Sequence, residues 1–147
     1  MRTALVLGAT GFIGGHIALA AMDRGWSVRG LRRNPRSTGH MGAAPVEWFT
    51  GDLDGGEGLR RALTGVEVVF HAAGYYPRVS RNAARATAAA VTQTRRVLGA
   101  VRDAGVSRLV YTSSLSTIGL PPVGEDRLAD ERDGYLPGGA PRSAYYE

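Results

Sequence analysis

Hydrophobic positions along this chain follow two rhythms. Short, largely apolar runs at 4–7, 26–31, 46–49, 66–70 and 108–112 have the length and composition of buried strands. Between them, apolar residues recur at helical spacing. Ile13, Ile17, Ala20 and Ala21 mark a first helix, ended by Gly25, and Leu59 and Leu63 mark a second. A third covers 80–103, with Val91, Thr94, Leu98 and Val101 as its core-facing stripe and its arginines mostly elsewhere. Residues 37–44 read as a loop. The segment 119–141 is acidic, rich in Pro and Gly and without period, and reads as a longer one. Residues 143–147 look like the first turn of another helix. Strands alternating with helices predict an α/β fold, a doubly wound parallel sheet with helices on both faces.

The junction of the first strand and first helix carries the most specific chemistry. Residues 8–14 read Gly-Ala-Thr-Gly-Phe-Ile-Gly, a G-x-x-G-x-x-G spacing that leaves a strand and opens a helix. In that context such glycines bind a dinucleotide. Gly8 permits a sharp turn, Gly11 lets a pyrophosphate approach the backbone, and Gly14 lets the helix pack closely. The helix N-terminus adds free N–H groups and a partial positive charge.

In a doubly wound sheet, ligands sit beyond the carboxyl ends of the strands. Four further features fall there. Arg32 and Arg33 follow the second strand, where an acidic residue would accept from the ribose 2′-hydroxyl of NAD. No Asp or Glu occurs between Asp23 and Glu47, and paired guanidinium groups suit the 2′-phosphate of NADP. Asp52 and Leu53 follow the third strand. Asp52 suits the adenine amino group and Leu53 the ring face; Asp52 equally suits the cap of the next helix. Ala72, Ala73 and Gly74 follow the fourth strand and are small enough for a ribose to lie on the backbone. His71, just before them, reads as a satisfied structural histidine rather than a catalytic one. Ser113 and Ser114 follow the fifth strand.

Bulk properties narrow the picture. A length of 147 residues is about one domain. The absence of Cys excludes a disulfide framework, a thiolate metal site and a cysteine nucleophile, and no metal is expected. No apolar run approaches the roughly 20 residues of a membrane span, and the N-terminus lacks a signal-peptide layout. The expectation is a cytoplasmic protein with no membrane partner. The net charge is +5, and all 18 basic residues are Arg. They are dispersed in short pairs such as Arg60-Arg61 and Arg95-Arg96 rather than gathered in a patch, so no nucleic-acid partner is expected.

Taken together, these motifs resemble the extended short-chain dehydrogenase/reductase family, also called NAD-dependent epimerase/dehydratases, along the whole chain. Residues 8–14, including Thr10, Phe12 and Ile13, match that family's cofactor turn. Gly51-Asp52-Leu53 matches its adenine-binding motif, and His71-Ala72-Ala73 its strand-four motif. Tyr111-Thr112-Ser113-Ser114 matches the segment with the catalytic Ser; counted back from Gly119, Ser114 is the aligned one. Tyr145 looks like the Tyr of the Y-x-x-x-K motif. Residues 28–35 look most like the dihydroflavonol-4-reductase-like branch, which usually prefers NADP.

The resemblance implies a Rossmann-type nucleotide-binding domain over 1–147 and hydride transfer to or from a carbonyl or sugar substrate. Ser114 would hold the substrate oxygen and Tyr145 would move its proton. It also implies pairing of two copies through helix 80–103. Two departures stand out. Ala90 lies roughly where the family often has Asn, and the motif's Lys falls due two residues past Glu147. Family members are longer and add a substrate domain, so the chain looks like an N-terminal portion. The leading expectation is an NADP-dependent oxidoreductase. An epimerase or dehydratase with bound NAD is the close alternative, and a non-catalytic dinucleotide-sensing regulator is the rival from another class. With no Lys to lower the pKa of Tyr145, these 147 residues alone are expected to bind cofactor without turnover.

Overall fold

The computed structural model describes residues 2–74, 83–114 and 118–134. The chain divides into two units, residues 1–112 and 113–147.

In the first unit, β1 (Thr3–Leu7), β2 (Ser27–Arg32), β3 (Val46–Thr50), β4 (Val68–His71) and β5 (Arg108–Tyr111) form one sheet. All pairings are parallel, in the order β3-β2-β1-β4-β5. Helices α1 (Phe12–Asp23), α2 (Glu57–Leu63) and α3 (Ala83–Asp103) connect β1 to β2, β3 to β4 and β4 to β5. A single 3-10 turn, Gly39–Met41, lies between β2 and β3. The strand order reverses between β1 and β4. The crevice at their carboxyl ends is therefore the switch point, where ligands bind in such sheets.

Alternation along the strands supplies a core to each face. Leu5 and Leu7 of β1 join Leu31, Val69, Leu59, Leu63, Val97 and Val101 on the side of α2 and α3. Val6 joins Val28, Ala18, Ala21 and Met41 on the side of α1. Leu5, Leu59 and Leu63 have no exposed surface, so each truncation to Ala costs about 2–5 kcal/mol. Glycines end two of the helices. Gly25, at φ +75°, closes α1 with Gly25 N–H donating to Met22 O and Trp26 N–H to Ala21 O. Gly105 does the same for α3.

Two helix faces differ from the sequence expectation. The covered face of α1 is Gly14, Gly15, Ala18 and Ala21, while Ile13 is 52% exposed and Ala20 is exposed. The helix starts so close to the preceding turn that a Cβ on Gly14 would run into the Gly8 carbonyl oxygen. Only small residues fit that face. In α3, Val97 and Val101 are buried, one turn apart, and Val91 and Leu98 are exposed. Leu98 follows Val97 and lies about 100° around the helix from it, so the buried stripe keeps Val101 of the expected set and takes Val97 in place of Leu98. β4 also begins at Val68 rather than 66, because Val66 N–H turns back to Leu63 O after α2.

In the second unit, Ile118 and Gly134 form an antiparallel bridge, and Gly119 N–H donates to Asp133 O at 2.7 Å.

Candidate dinucleotide site

The turn after β1 is built from backbone against backbone. Gly8 adopts φ +91°, and a Cβ there would lie 2.9 Å from the Ala72 carbonyl carbon and 3.0 Å from Ala73 N. Ala72 N–H donates to Leu7 O at 2.9 Å, which extends the β1–β4 pairing past the last strand residues. The glycine turn and Ala72-Ala73 are thus brought together at the switch point. Gly11 N–H closes the turn onto Gly8 O at 2.8 Å.

Gly11 differs from its two partners. A Cβ on it would meet only the Gly8 oxygen, at 3.2 Å. Gly11 is also the N-cap of α1. It makes no side-chain cap bond, and the first turn holds no acidic residue. Uncapped N–H groups beside open space form a cradle with the chemistry of a pyrophosphate site. Phe12 and Ile13 stand exposed there, and Phe12 packs edge-on against His16 at 4.7 Å. Thr10 supports the rim: a Cβ on Gly39 would meet the Thr10 carbonyl, so the 3-10 turn folds back onto the glycine turn.

The two arginines after β2 are not equivalent. Arg32 lies 5.0 Å over the Trp48 ring and its Nη1 donates to Ser37 O at 3.2 Å. Its Nε is buried with no hydrogen-bond partner. Arg33 is exposed. Trp48 and Ser37 were not among the residues singled out from sequence. A signal existed: Gly30 pairs in register with Trp48, and a Cβ on Gly30 would collide with that ring. A glycine inside a strand marks such a close approach.

Asp52 does not cap α2, whose N-cap is Gly56. The loop 51–56 intervenes, and Asp52 Oδ1 instead accepts the Asp54 N–H at 2.9 Å in an Asx turn. Leu53 is half-buried against the α2–α3 core. Gly51 N–H donates to Arg32 O at 3.0 Å, so the ends of β2 and β3 stay joined. Ala72 and Ala73 are half-buried and Gly74 is exposed.

His71 is buried, and the satisfied ring expected of it lacks a partner on one nitrogen, Nδ1. The ring meets the Tyr111 edge at 4.9 Å. Burial lowers its pKa from the ordinary 6.5, partly offset by a backbone hydrogen bond. Thr112 N–H donates to His71 O at 2.9 Å, the last backbone link after β5. Ser113 and Ser114 are exposed and belong to the second unit. Tyr145 lies outside the described residues. Among the described residues, no three His, Asp or Glu cluster as a metal site, and no helix is long and apolar enough to cross a membrane.

A parallel sheet with a glycine turn at its switch point defines a Rossmann-type nucleotide-binding protein. Residues 4–147 match the NAD dependent epimerase/dehydratase family, and the chain belongs to it. A Synechocystis sp. protein bearing the name dihydroflavonol 4-reductase is 32% identical over 126 residues, 86% of this chain and 36% of that one. Cinnamoyl-CoA reductase 1 of Petunia hybrida is 33% identical over 124 residues, 80% of this chain and 36% of that one. A short-chain dehydrogenase/reductase superfamily protein from Agrobacterium tumefaciens, solved with bound NAD, aligns with a TM-score of 0.69 at 29% identity. That alignment covers 99% of this chain and 41% of that one. The chain thus spans just over a third of the length of these curated relatives.

Proposed function

We propose that the chain is the dinucleotide-binding part of a cytoplasmic, NADP-dependent oxidoreductase of the dihydroflavonol-4-reductase-like kind. It would move hydride between the nicotinamide and a carbonyl or secondary alcohol. The observation that carries this reading is the end of β2. Two arginines stand there with no carboxylate between Asp23 and Glu47. Arg32 is held over Trp48 with a buried Nε that lacks a protein acceptor. A 2′-phosphate would accept from the exposed Arg33 guanidinium, beside the Arg32 guanidinium that Trp48 holds in place.

Bound NADP would supply the hydride chemistry. The chain's own residues hold and orient it. The α1 N-terminus and Gly11 take the pyrophosphate, Asp52 accepts from the adenine amino group, and Ala72, Ala73 and Gly74 leave room for a ribose. Ser114 donates to the substrate oxygen and Tyr145 exchanges the proton. Both curated relatives described above carry aromatic substrates in their names, which supports a bulky apolar carbonyl over a sugar. Two copies pair through α3, where Val91 and Leu98 stand exposed. The NAD-bound Agrobacterium neighbour favours a second reading, an epimerase that retains NAD. Net consumption of NADPH by the intact protein separates the two.

The first test is cofactor choice. NADPH and NADH are titrated into the wild type and into Arg32→Ala/Arg33→Ala. The expected NADPH preference is about 10- to 150-fold, the worth of charge-assisted bonds of roughly 1.5–3 kcal/mol, and the double variant loses it. Equal affinities in the wild type sink the NADP assignment.

A further inference from the structure

Two imidazoles lie side by side in the first unit, on residues that the dinucleotide reading does not use. His16 is on α1, one turn after Phe12, and His40 is in the 3-10 turn Gly39–Met41. Both residues are exposed. Their ring centroids stand 5.0 Å apart, with the planes tilted by 40°. Phe12 packs edge-on against His16 and lies 6.5 Å from His40, so one flank of the pair is apolar. The backbone seats the pair. Gly15 of α1 is buried, and a Cβ on it would collide with Cε1 and Nε2 of His40. The His40 ring therefore occupies the space that a side chain of α1 would otherwise fill. The turn that carries it is fixed as well, because Gly39 lies against the Thr10 carbonyl.

The spacing has a chemical meaning. Two imidazoles on one tetrahedral Zn²⁺, with Zn–N bonds of about 2.0–2.1 Å, hold their ring centroids roughly 5 Å apart. Imidazole is the commonest metal ligand and suits Zn²⁺, Ni²⁺ and Cu²⁺. The chain has three His and no Cys, and His71 is buried. His16 and His40 are thus the two imidazoles that a metal ion in solution can reach. We propose that they form a two-histidine site for a divalent transition metal, with Zn²⁺ as the simplest occupant and water in its remaining positions. The absence of thiolates excludes a cysteine site and leaves this one untouched. A metal held there ties the connection between β2 and β3 to α1, next to the glycine turn. The site depends on neither the dinucleotide nor the reductase reading.

The test uses the untagged chain and zinc chloride alone, followed by calorimetry. The wild type is expected to take up one equivalent of Zn²⁺. Cu²⁺ is expected to bind the same site more tightly. His16→Gln and His40→Gln are each expected to lower the affinity at least about tenfold, since even a group behind a metal ligand is worth that much. Zn²⁺ is expected to raise the melting temperature of the wild type and of neither variant, because it binds the folded state. In proton NMR the ring signals of His16 and His40 are expected to move together on adding Zn²⁺, while those of His71 stay. Gly15→Ala keeps both imidazoles and favours the helix, but it pushes the His40 ring off its seat. It is expected to keep the metal-free melting temperature and to lose Zn²⁺ affinity. Wild-type affinity in either histidine variant overturns the shared site. Wild-type affinity in Gly15→Ala overturns the preformed geometry on which the site is argued.

Discussion

The glycine turn and the 118–134 loop both hold chain in irregular conformations, by opposite means. The turn uses no side chain at all. Gly8, Gly14 and Ala72 approach until no Cβ fits, and the cradle is what remains open. The loop is held by a fork, in which Arg127 Nη1 and Nη2 donate to the two oxygens of Asp133. A contact made of backbone is indifferent to pH but intolerant of any added atom. A contact made of charges tolerates substitution around it and fails when a proton neutralises one partner. The first suits a cofactor, whose phosphates are the same in every enzyme that binds it. The second suits a surface loop, where the residues around the fork are free to vary.

The largest effect is expected within the turn itself. Gly14→Ala drives a methyl into the Gly8 carbonyl. Overpacking of this kind costs about 1–3 kcal/mol or more, and α1 has to move off the turn. Both thermal stability and dinucleotide binding are expected to fall. Gly11→Val meets one oxygen at 3.2 Å and otherwise open space. It is expected to keep the melting temperature and lose at least about 100-fold in NADPH affinity, because the side chain occupies the pyrophosphate volume. If both variants bind normally, the cradle is elsewhere. If both unfold, Gly11 is as structural as its neighbours.

Much of this was legible because it depends on local pattern. Strand runs, the glycine spacing and the end-of-helix glycines are short-range signals, and they place the switch point without any tertiary knowledge. What was not legible depended on distance in the chain. That Val97 rather than Leu98 is buried beside Val101 is set by where the core of Leu5, Val69, Leu59 and Leu63 lies, not by apolar content. The separate fates of Arg32 and Arg33 require knowing that Trp48 pairs opposite Gly30. Asp133 looks like any other acid in an acidic loop until the chain brings Arg127 onto it. Ser114 and Tyr145 were assigned from resemblance, and their roles remain proposals.

A smaller effect separates the two regions by pH. His71 sits in the first unit, buried, with Nδ1 unpartnered and its pKa lowered by burial. Its neutral form is favoured in the folded state. The stability it contributes is full above the unfolded value of about 6.5 and is lost as pH falls toward the lower folded value. The sheet is therefore expected to lose melting temperature below about pH 6.5. His71→Leu is expected to flatten that slope, and by removing an unsatisfied buried nitrogen to offset part of any packing loss, about 1–3 kcal/mol. A wild-type melting temperature that is level from pH 7 to 5 counts against this account of His71.

The smallest expected change is confined to the loop and lies in a different pH window. Hydrogen bonds from Arg127 first, then the Asp130 N–H, hold the Asp133 carboxyl down to about 2 from its ordinary 3.8. Glu125, Asp130 and Arg132 sit in the same network, with the Asp130 carboxyl also lowered, chiefly by Arg132. The folded state thus favours ionised Asp133. Its contribution is complete above the unfolded value, begins to fall below pH 3.8 and is lost as pH passes through about 2. Carbon NMR titration of the Asp133 carboxyl is expected to give a midpoint near 2. The Gly119 and Asp130 amides, which hydrogen-bond to Asp133, are expected to lose their native shifts with the same midpoint. Over pH 7 to 5, where His71 is expected to weaken the sheet, those two amides are expected to stay unchanged. A carboxyl midpoint near 3.8 means that the fork onto Asp133 does not persist in solution. The contrast between a cradle of backbone and a loop of charges then fails at its second half.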